Sequence, residues 1–173
     1  WSSGLEEGRE PFGEVFAVTP ESLRTVLADR HWEEIRRQID VLQRNGQDVP
    51  EDVVQALLAL LDGEDTRIDA VLALGQVKSD AAGLALALRA LDTTSPEAVR
   101  AAALQALAAN GSPAALVHVR SIVDASQAGP EGDTAVLRSA LRALAGIGGA
   151  DASRTLVAAL TRHADDDLSG AIV

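Results

Sequence analysis

The sequence contains no cysteine, no methionine and no tyrosine among its 173 residues. The absence of cysteine excludes disulfide bonds, thiolate metal sites and cysteine nucleophiles. No uncharged apolar run reaches about 18 residues, so we expect no membrane-spanning helix. The three histidines, His31, His118 and His163, are far apart in the sequence. We therefore expect neither a metal site nor a cofactor.

Aromatic residues are scarce, and the four present are Trp1, Phe12, Phe16 and Trp32. The apolar residues, 47% of the chain, are therefore mainly Ala, Leu, Val and Ile. Alanine is the best helix former and its small side chain lets helices approach closely, whereas sheet cores favour β-branched and aromatic residues. The composition predicts an all-α fold.

Basic residues are also in deficit, with 15 Lys and Arg against 26 Asp and Glu and a formal net charge of −11. Binding to nucleic acid requires clustered Lys and Arg that neutralise phosphates, so we do not expect a nucleic-acid partner. The excess is concentrated in residues 1–65, which hold 15 acids and 6 bases, whereas residues 66–173 hold 11 acids and 9 bases. Arginine supplies 14 of the 15 bases, which together with the many alanines suggests a GC-rich bacterial genome.

An internal repeat runs through most of the chain. Each unit has an Ala/Leu helix, a polar or glycine-containing turn and a second Leu/Val helix, and three segments share this pattern: 70–91, 102–123 and 139–160. Leu74, Leu107 and Leu144 mark the repeat at intervals of 33 and 37 residues. A more divergent unit covers residues 32–61, and its polar outer positions suit a repeat that caps an array.

Prolines in first helical turns and glycines after last turns define the predicted helix boundaries. They predict a first helix at 20–29 and then four helix pairs: 32–44 with 50–61, 66–77 with 80–91, 96–109 with 113–125, and 133–147 with 151–163. The repeat domain, residues 19–173, thus has repeats at about 32–61, 66–91, 96–125 and 133–163. Ser95 and Ser112 each precede a proline and are expected to cap the helices that follow.

The stretch Gly146-Ile147-Gly148-Gly149 is similar in composition to a phosphate-binding glycine loop. Such a loop follows a β-strand and leads into a helix whose amino end faces the anion. Here the glycines follow a predicted helix and align with the turns of the other repeats. We therefore predict a turn between helices and no nucleotide site.

The segment 99–119, VRAAALQALAANGSPAALVHV, resembles the short HEAT-like repeats of the phycobilisome-lyase type. The resemblance covers residues 66–163 well and 32–61 loosely, and it departs at Asn110–Pro113, where the family usually has Gly-Asp. It implies a right-handed α-solenoid, an α-α superhelix of about four helix pairs plus the N-terminal helix. It does not imply one function, because the family includes scaffolds, regulators and a few enzymes.

In such a solenoid, the second helices of successive pairs are expected to line a continuous concave face that binds extended partners. Arg120, Arg154 and Arg162 fall on one face of their predicted helices, and Asp124 shares it. His118 lies on the same second helix as Arg120 and is a candidate polar groove residue. The hypothesis is that the arginines bind carboxylates through forked hydrogen bonds. The alternative is that they are ordinary solvated side chains.

Residues 1–18 form an acidic and aromatic arm outside the repeat pattern. Its apolar residues, including Phe12, Val15 and Phe16, need a surface to cover. One hypothesis is that they fold back and cap the first helix pair, together with Trp32. The other is that Phe12 and Phe16 form a recognition segment that docks on another chain or on a neighbouring copy.

The sequence therefore predicts a non-catalytic protein-interaction or scaffold module that binds another protein or an extended peptide. Two alternatives stay open: a structural repeat segment without a ligand of its own, and a lyase or chromophore-handling subunit. The chain starts at Trp1 and lacks methionine, and its last residues are typical of a further helix. We thus expect a fragment of a larger bacterial protein, whose remainder can itself be the partner. With no signal segment present we expect a cytoplasmic location, with a mature envelope protein as the alternative.

Overall fold

The computed structural model describes residues 18–63, 67–127 and 134–162, and all regular structure in these ranges is helical. They contain nine α-helices: α1 Pro20–Ala28, α2 Trp32–Arg44, α3 Glu51–Ala59, α4 Arg67–Gln76, α5 Asp80–Leu91, α6 Glu97–Asn110, α7 Leu116–Gln127, α8 Thr134–Ile147 and α9 Gly149–Arg162. Short 3-10 turns at Leu60–Asp62 and Pro113–Ala115 extend α3 and precede α7. The predicted all-α class and the predicted helix order are confirmed.

Side-chain caps fix the start of several helices. The Thr19 hydroxyl accepts a hydrogen bond from the Ser22 backbone N–H (3.1 Å), and the Ser22 hydroxyl accepts one from the Thr19 N–H (3.0 Å), so α1 begins with a capping box. Ser79 caps α5 by accepting from the Ala82 N–H (3.2 Å). The predicted Ser112 cap is confirmed, since its hydroxyl accepts from the Ala114 N–H (3.2 Å) at the 3-10 turn before α7.

The predicted Ser95 cap is wrong. Pro96 is the cap residue of α6 and no side chain caps that helix. The Ser95 hydroxyl instead donates to Asp92 Oδ2 (2.7 Å), while the Thr94 hydroxyl and N–H donate to Asp92 Oδ1 (2.6 and 3.0 Å). These bonds, from Thr94 first and then Ser95, lower the pKa of the Asp92 carboxyl to about 2. A local turn organised by a carboxylate has thus displaced the helix cap.

The first helices of successive pairs form a closely packed layer. α6 packs along both α4 and α8, and α2 packs on α4. Glycine makes the approach close: a Cβ on Gly75 would lie 2.8 Å from Ala106 Cα, and one on Gly146 would lie 2.3 Å from the Ala108 carbonyl oxygen. The second helices α5, α7 and α9 contact one another much less extensively. Their wider spacing leaves grooves between them.

The marker leucines of the repeat share one environment in the core. Leu74 and Leu107 are 0% exposed and Leu144 is 1% exposed, and each lies on the first helix of its pair. The core around them consists of Ala, Leu, Val and Ile. Burying each leucine contributes roughly 1.5–3 kcal/mol. The periodicity found in the sequence therefore marks equivalent buried positions.

Amide side chains, one buried and one half-buried, connect the turns of successive pairs. Asn110, 4% exposed, donates to the Val77 and Ser79 carbonyl oxygens and accepts from the Ser112 N–H (2.9 Å). In the preceding pair, the Gln43 amide, oriented to satisfy both of its partners, donates to the carbonyl of residue 76 (2.6 Å) and accepts from the N–H of residue 78 (2.7 Å). Each turn is thereby fixed on its neighbour.

The glycines at 146–149 form the predicted turn between helices. Gly146 lies in α8, and Gly148, at φ +69°, has the left-handed backbone that separates α8 from α9. Helices lie on both sides of this turn, so the context that a phosphate-binding loop needs is not met. Within 18–63, 67–127 and 134–162, no helix combines the length and the apolar character that crossing a membrane requires.

Candidate partner-binding groove

A groove of about 330 Å³ lies between the second helices α7 and α9. We call it the α7–α9 groove, and its walls are formed by eight residues: Arg120, Val123, Asp124, Asp151, Arg154, Thr155, Ala158 and Ala159. The α7 residues are spaced three and four apart, as are those of α9, so each helix contributes one face. The groove exists because the two second helices are held apart while their first helices pack closely.

The groove has an apolar floor and charged rims. Val123 is 1% exposed and Ala159 is 2% exposed, and both belong to the hydrophobic core. Two arginines and two aspartates stand around this floor, so the formal charge of the described rim is zero. The groove therefore presents positive and negative groups at fixed positions, with no excess of either charge.

The four charged residues of the rim are not equivalent. Arg154 forms an ion pair with Asp151 three residues earlier on α9, and their side chains are 79% and 58% exposed. An ion pair this exposed contributes little stability. Arg120 and Asp124 are also exposed, and neither has an ion-pair partner among the described residues. Arg120 is therefore the arginine most available to a bound molecule.

The structure brings together three of the predicted site residues and leaves His118 outside their groove. Arg120, Asp124 and Arg154 line the same groove. His118 is half-buried on α7 and does not line it. Arg162 is the last residue of α9, and its side chain lies outside the description. Phe12 and Phe16 also lie outside the described residues, so the two hypotheses for the arm stay predictions.

The sequence analysis missed the exposed apolar residues of the second helices. Among the described residues, five large apolar side chains are exposed, and four of them lie on second helices: Leu84 and Leu88 on α5, Val117 on α7 and Val157 on α9. Leu88, Val117 and Val157 are each at least 60% exposed. The second helices α5, α7 and α9 have Leu/Val-rich sequences like those of core helices. No pattern in these sequences therefore indicates which of their apolar residues are exposed.

The described residues contain no group of three or more His, Cys, Asp or Glu side chains that could hold a metal ion. The absence of a cofactor stays a prediction. No family model matches the chain, and no curated protein matches it. The resemblance to short HEAT-like repeats therefore rests on the residues quoted for it and also stays a prediction.

Proposed function

We propose that this chain is a non-catalytic interaction module, built as a right-handed solenoid of HEAT-like helix pairs, that binds another protein or an extended peptide across its second helices. The ordered packing of α2, α4, α6 and α8 supports the solenoid arrangement. So does the equal burial of Leu74, Leu107 and Leu144 in successive units. Stacked repeats of this kind present one helix layer as an extended binding surface.

The observation that carries the proposal is the character of the second-helix layer. Exposed apolar residues are normal when scattered singly over a surface. Here four large ones lie in the layer that also contains the α7–α9 groove, while the first helices expose only Ile68 among the described residues. We take these four side chains, exposed on one layer of helices, to belong to a surface that another chain covers.

The groove indicates how an occupant is held. An apolar side chain of the partner fits against Val123 and Ala159, and a partner carboxylate meets Arg120 through two parallel N–H to oxygen hydrogen bonds. Asp124 can accept a hydrogen bond from a backbone N–H of the same peptide. The rim carries both signs of charge, so we expect partners with mixed charge rather than uniformly acidic ones.

A second candidate function is that of a structural repeat segment without a ligand of its own. The specific observation in its favour is that Arg154 is already paired with Asp151. Balanced, self-paired charges are what an ordinary solvated surface would have.

The test is a selection of short random peptides displayed on phage against the full chain. Enriched peptides are titrated against three proteins: the unchanged chain, the double variant Arg120→Ala/Arg154→Ala, and Arg44→Ala as a matched control. Arg44 is an exposed arginine, 75% exposed, that is paired with Asp40 on the first helix α2. We expect equal binding to the unchanged chain and the control, and roughly tenfold or greater weakening by the double variant, because bonds to charged groups contribute about 1.5–3 kcal/mol.

Two outcomes would contradict the proposal. If no peptide is enriched over an uncoated surface, the structural-segment function is favoured. If peptides bind the double variant as tightly as the unchanged chain, binding occurs elsewhere on the molecule.

A further inference from the structure

A second and more apolar groove lies at the other end of the described chain, between α1 and α3. Its volume is about 580 Å³. The floor includes Leu27, Val53 and Ala56, of which Val53 is 1% exposed and belongs to the core. The rim carries two arginines, Arg24 and Arg30. We call it the α1–α3 groove, and it is distinct from the groove of the proposed function.

One end of the α1–α3 groove is fixed by a forked ion pair. Arg24 Nε and one of its terminal nitrogens donate to the two oxygens of Asp52, at 2.6 and 3.1 Å. This pair joins α1 to α3 and raises the pKa of Arg24 while lowering that of Asp52. Arg30, in contrast, is exposed and has no ion-pair partner among the described residues.

The chain enters α1 from a defined position. Val18 is half-buried and packs against the core, and the capping box of Thr19 and Ser22 fixes the first turn of α1. The Ser22 hydroxyl also donates to Gln38 on α2 (2.9 Å), which fixes that turn on the neighbouring helix. Residues 1–17 therefore join the described chain next to the amino end of α1, one of the two helices that form the groove.

We propose that residues 1–17 of the same chain occupy the α1–α3 groove, with Phe12 and Phe16 against its apolar floor. The chain is long enough: the six steps between neighbouring residues from Phe12 to Val18 span up to ~20 Å when extended, whereas the nine residues of α1 rise ~14 Å. The segment contains four glutamates and one arginine, a net charge of −3 that complements Arg30. Its two phenylalanines are large apolar side chains that can cover the floor formed by Leu27, Val53 and Ala56.

The test uses the full chain, which has no native cysteine, so a single introduced cysteine carries one spin label at a known place. Gln55→Cys puts the label on the exposed side of α3, beside the groove but outside its lining. Ser121→Cys puts it on the exposed face of α7 as a matched control. We expect the spin label at position 55 to broaden the amide resonances of residues 12–16 so that they lose most of their peak intensity. The label at position 121 should leave these intensities unchanged.

Further samples identify the occupant. Chain that carries the spin label but no ¹⁵N is mixed with ¹⁵N-enriched chain that carries no spin label. We expect no broadening of the amide resonances of residues 12–16 in this mixture. Broadening there would overturn the proposal, since it would place the arm of a neighbouring copy in the groove. Equal intensities with both labels in the single-chain samples would also overturn it. Finally, Ala56→Trp places a large side chain on the groove floor, and we expect it to abolish the broadening caused by the label at position 55. We expect the same loss of broadening from Phe12→Ala/Phe16→Ala.

Discussion

Gly146 provides a sharp test of the closely packed first-helix layer, because two effects oppose each other there. Gly146 is a helical residue, and replacing a helical glycine with alanine normally stabilises a helix by about 1 kcal/mol. In this structure the new Cβ would lie 2.3 Å from the Ala108 carbonyl oxygen and 2.6 Å from its Cα. Both atoms are backbone, so no side-chain rotation relieves the contact.

The geometry decides the sign of the effect. The new Cβ would lie 2.3 Å from the Ala108 carbonyl oxygen, whereas Cβ contacts in real structures are rarely shorter than 3.0 Å. Reaching 3.0 Å requires α6 and α8 to separate by about 0.7 Å. Overpacking of this kind costs about 1–3 kcal/mol, and here we expect the upper end because two whole helices must shift. After the gain in helix propensity, Gly146→Ala should lower the free energy of unfolding by about 1–2 kcal/mol.

The assay is urea unfolding followed by helical circular dichroism, supported by thermal melts. A loss of this size lowers Tm by roughly 2–8 °C in a chain of this length. Ala145→Gly, at the exposed neighbouring position of α8, is the control and should lose about 1 kcal/mol through helix propensity alone. A Gly146→Ala variant that is as stable as the unchanged chain, or more stable, would refute the close approach of α6 and α8.

Three further predictions concern the turns and the groove. Asn110→Ala should cost about 1–3 kcal/mol in urea unfolding, because it leaves the buried Ser112 N–H without its partner and removes the bonds to the Val77 and Ser79 carbonyl oxygens, whereas Gln55→Ala on the surface of α3 should change stability by less than about 0.5 kcal/mol; similar losses would contradict the turn network. The depressed pKa of Asp92 stabilises the fold above the carboxyl's ordinary value of 3.8, and this contribution is lost as pH falls toward about 2. Melts from pH 5 to pH 2 should therefore show a smaller loss of Tm for Asp92→Asn than for the unchanged chain, and parallel curves would disprove the assignment. Arg120→Ala/Arg154→Ala should melt within about 2 °C of the unchanged chain, since the side chains are exposed, and a larger fall would mean that they support the fold rather than a partner.

The sequence predicted the helices well because their boundaries depend on local chemistry. Proline in first turns, capping hydroxyls such as Thr19 and left-handed glycines such as Gly148 act within a few residues. The Ser95 prediction failed because the Ser95 hydroxyl lies at Asp92, three residues earlier, and accepts no hydrogen bond from the first turn of α6. A competing local acceptor is visible in the sequence, but its geometry is not.

The α7–α9 groove could be predicted only in part. Helical spacing was enough to put Arg120 and Asp124 on one face and to align Arg154 with them. Spacing could not show that Asp151 pairs with Arg154 or that the second helices are held apart. The separation of the second helices depends on the close contact between α6 and α8 at Gly146. No pattern within the sequences of α7 or α9 could indicate that contact.

The measurement that tests the central claim most directly is chemical-shift mapping of an enriched peptide on the full ¹⁵N-labelled chain. The account predicts that the largest shifts fall on the α7–α9 groove, at Arg120, Asp124 and Thr155, with smaller ones at Val117. Shifts confined to the first helices α4, α6 and α8, or to the α1–α3 groove, would contradict binding across the second helices.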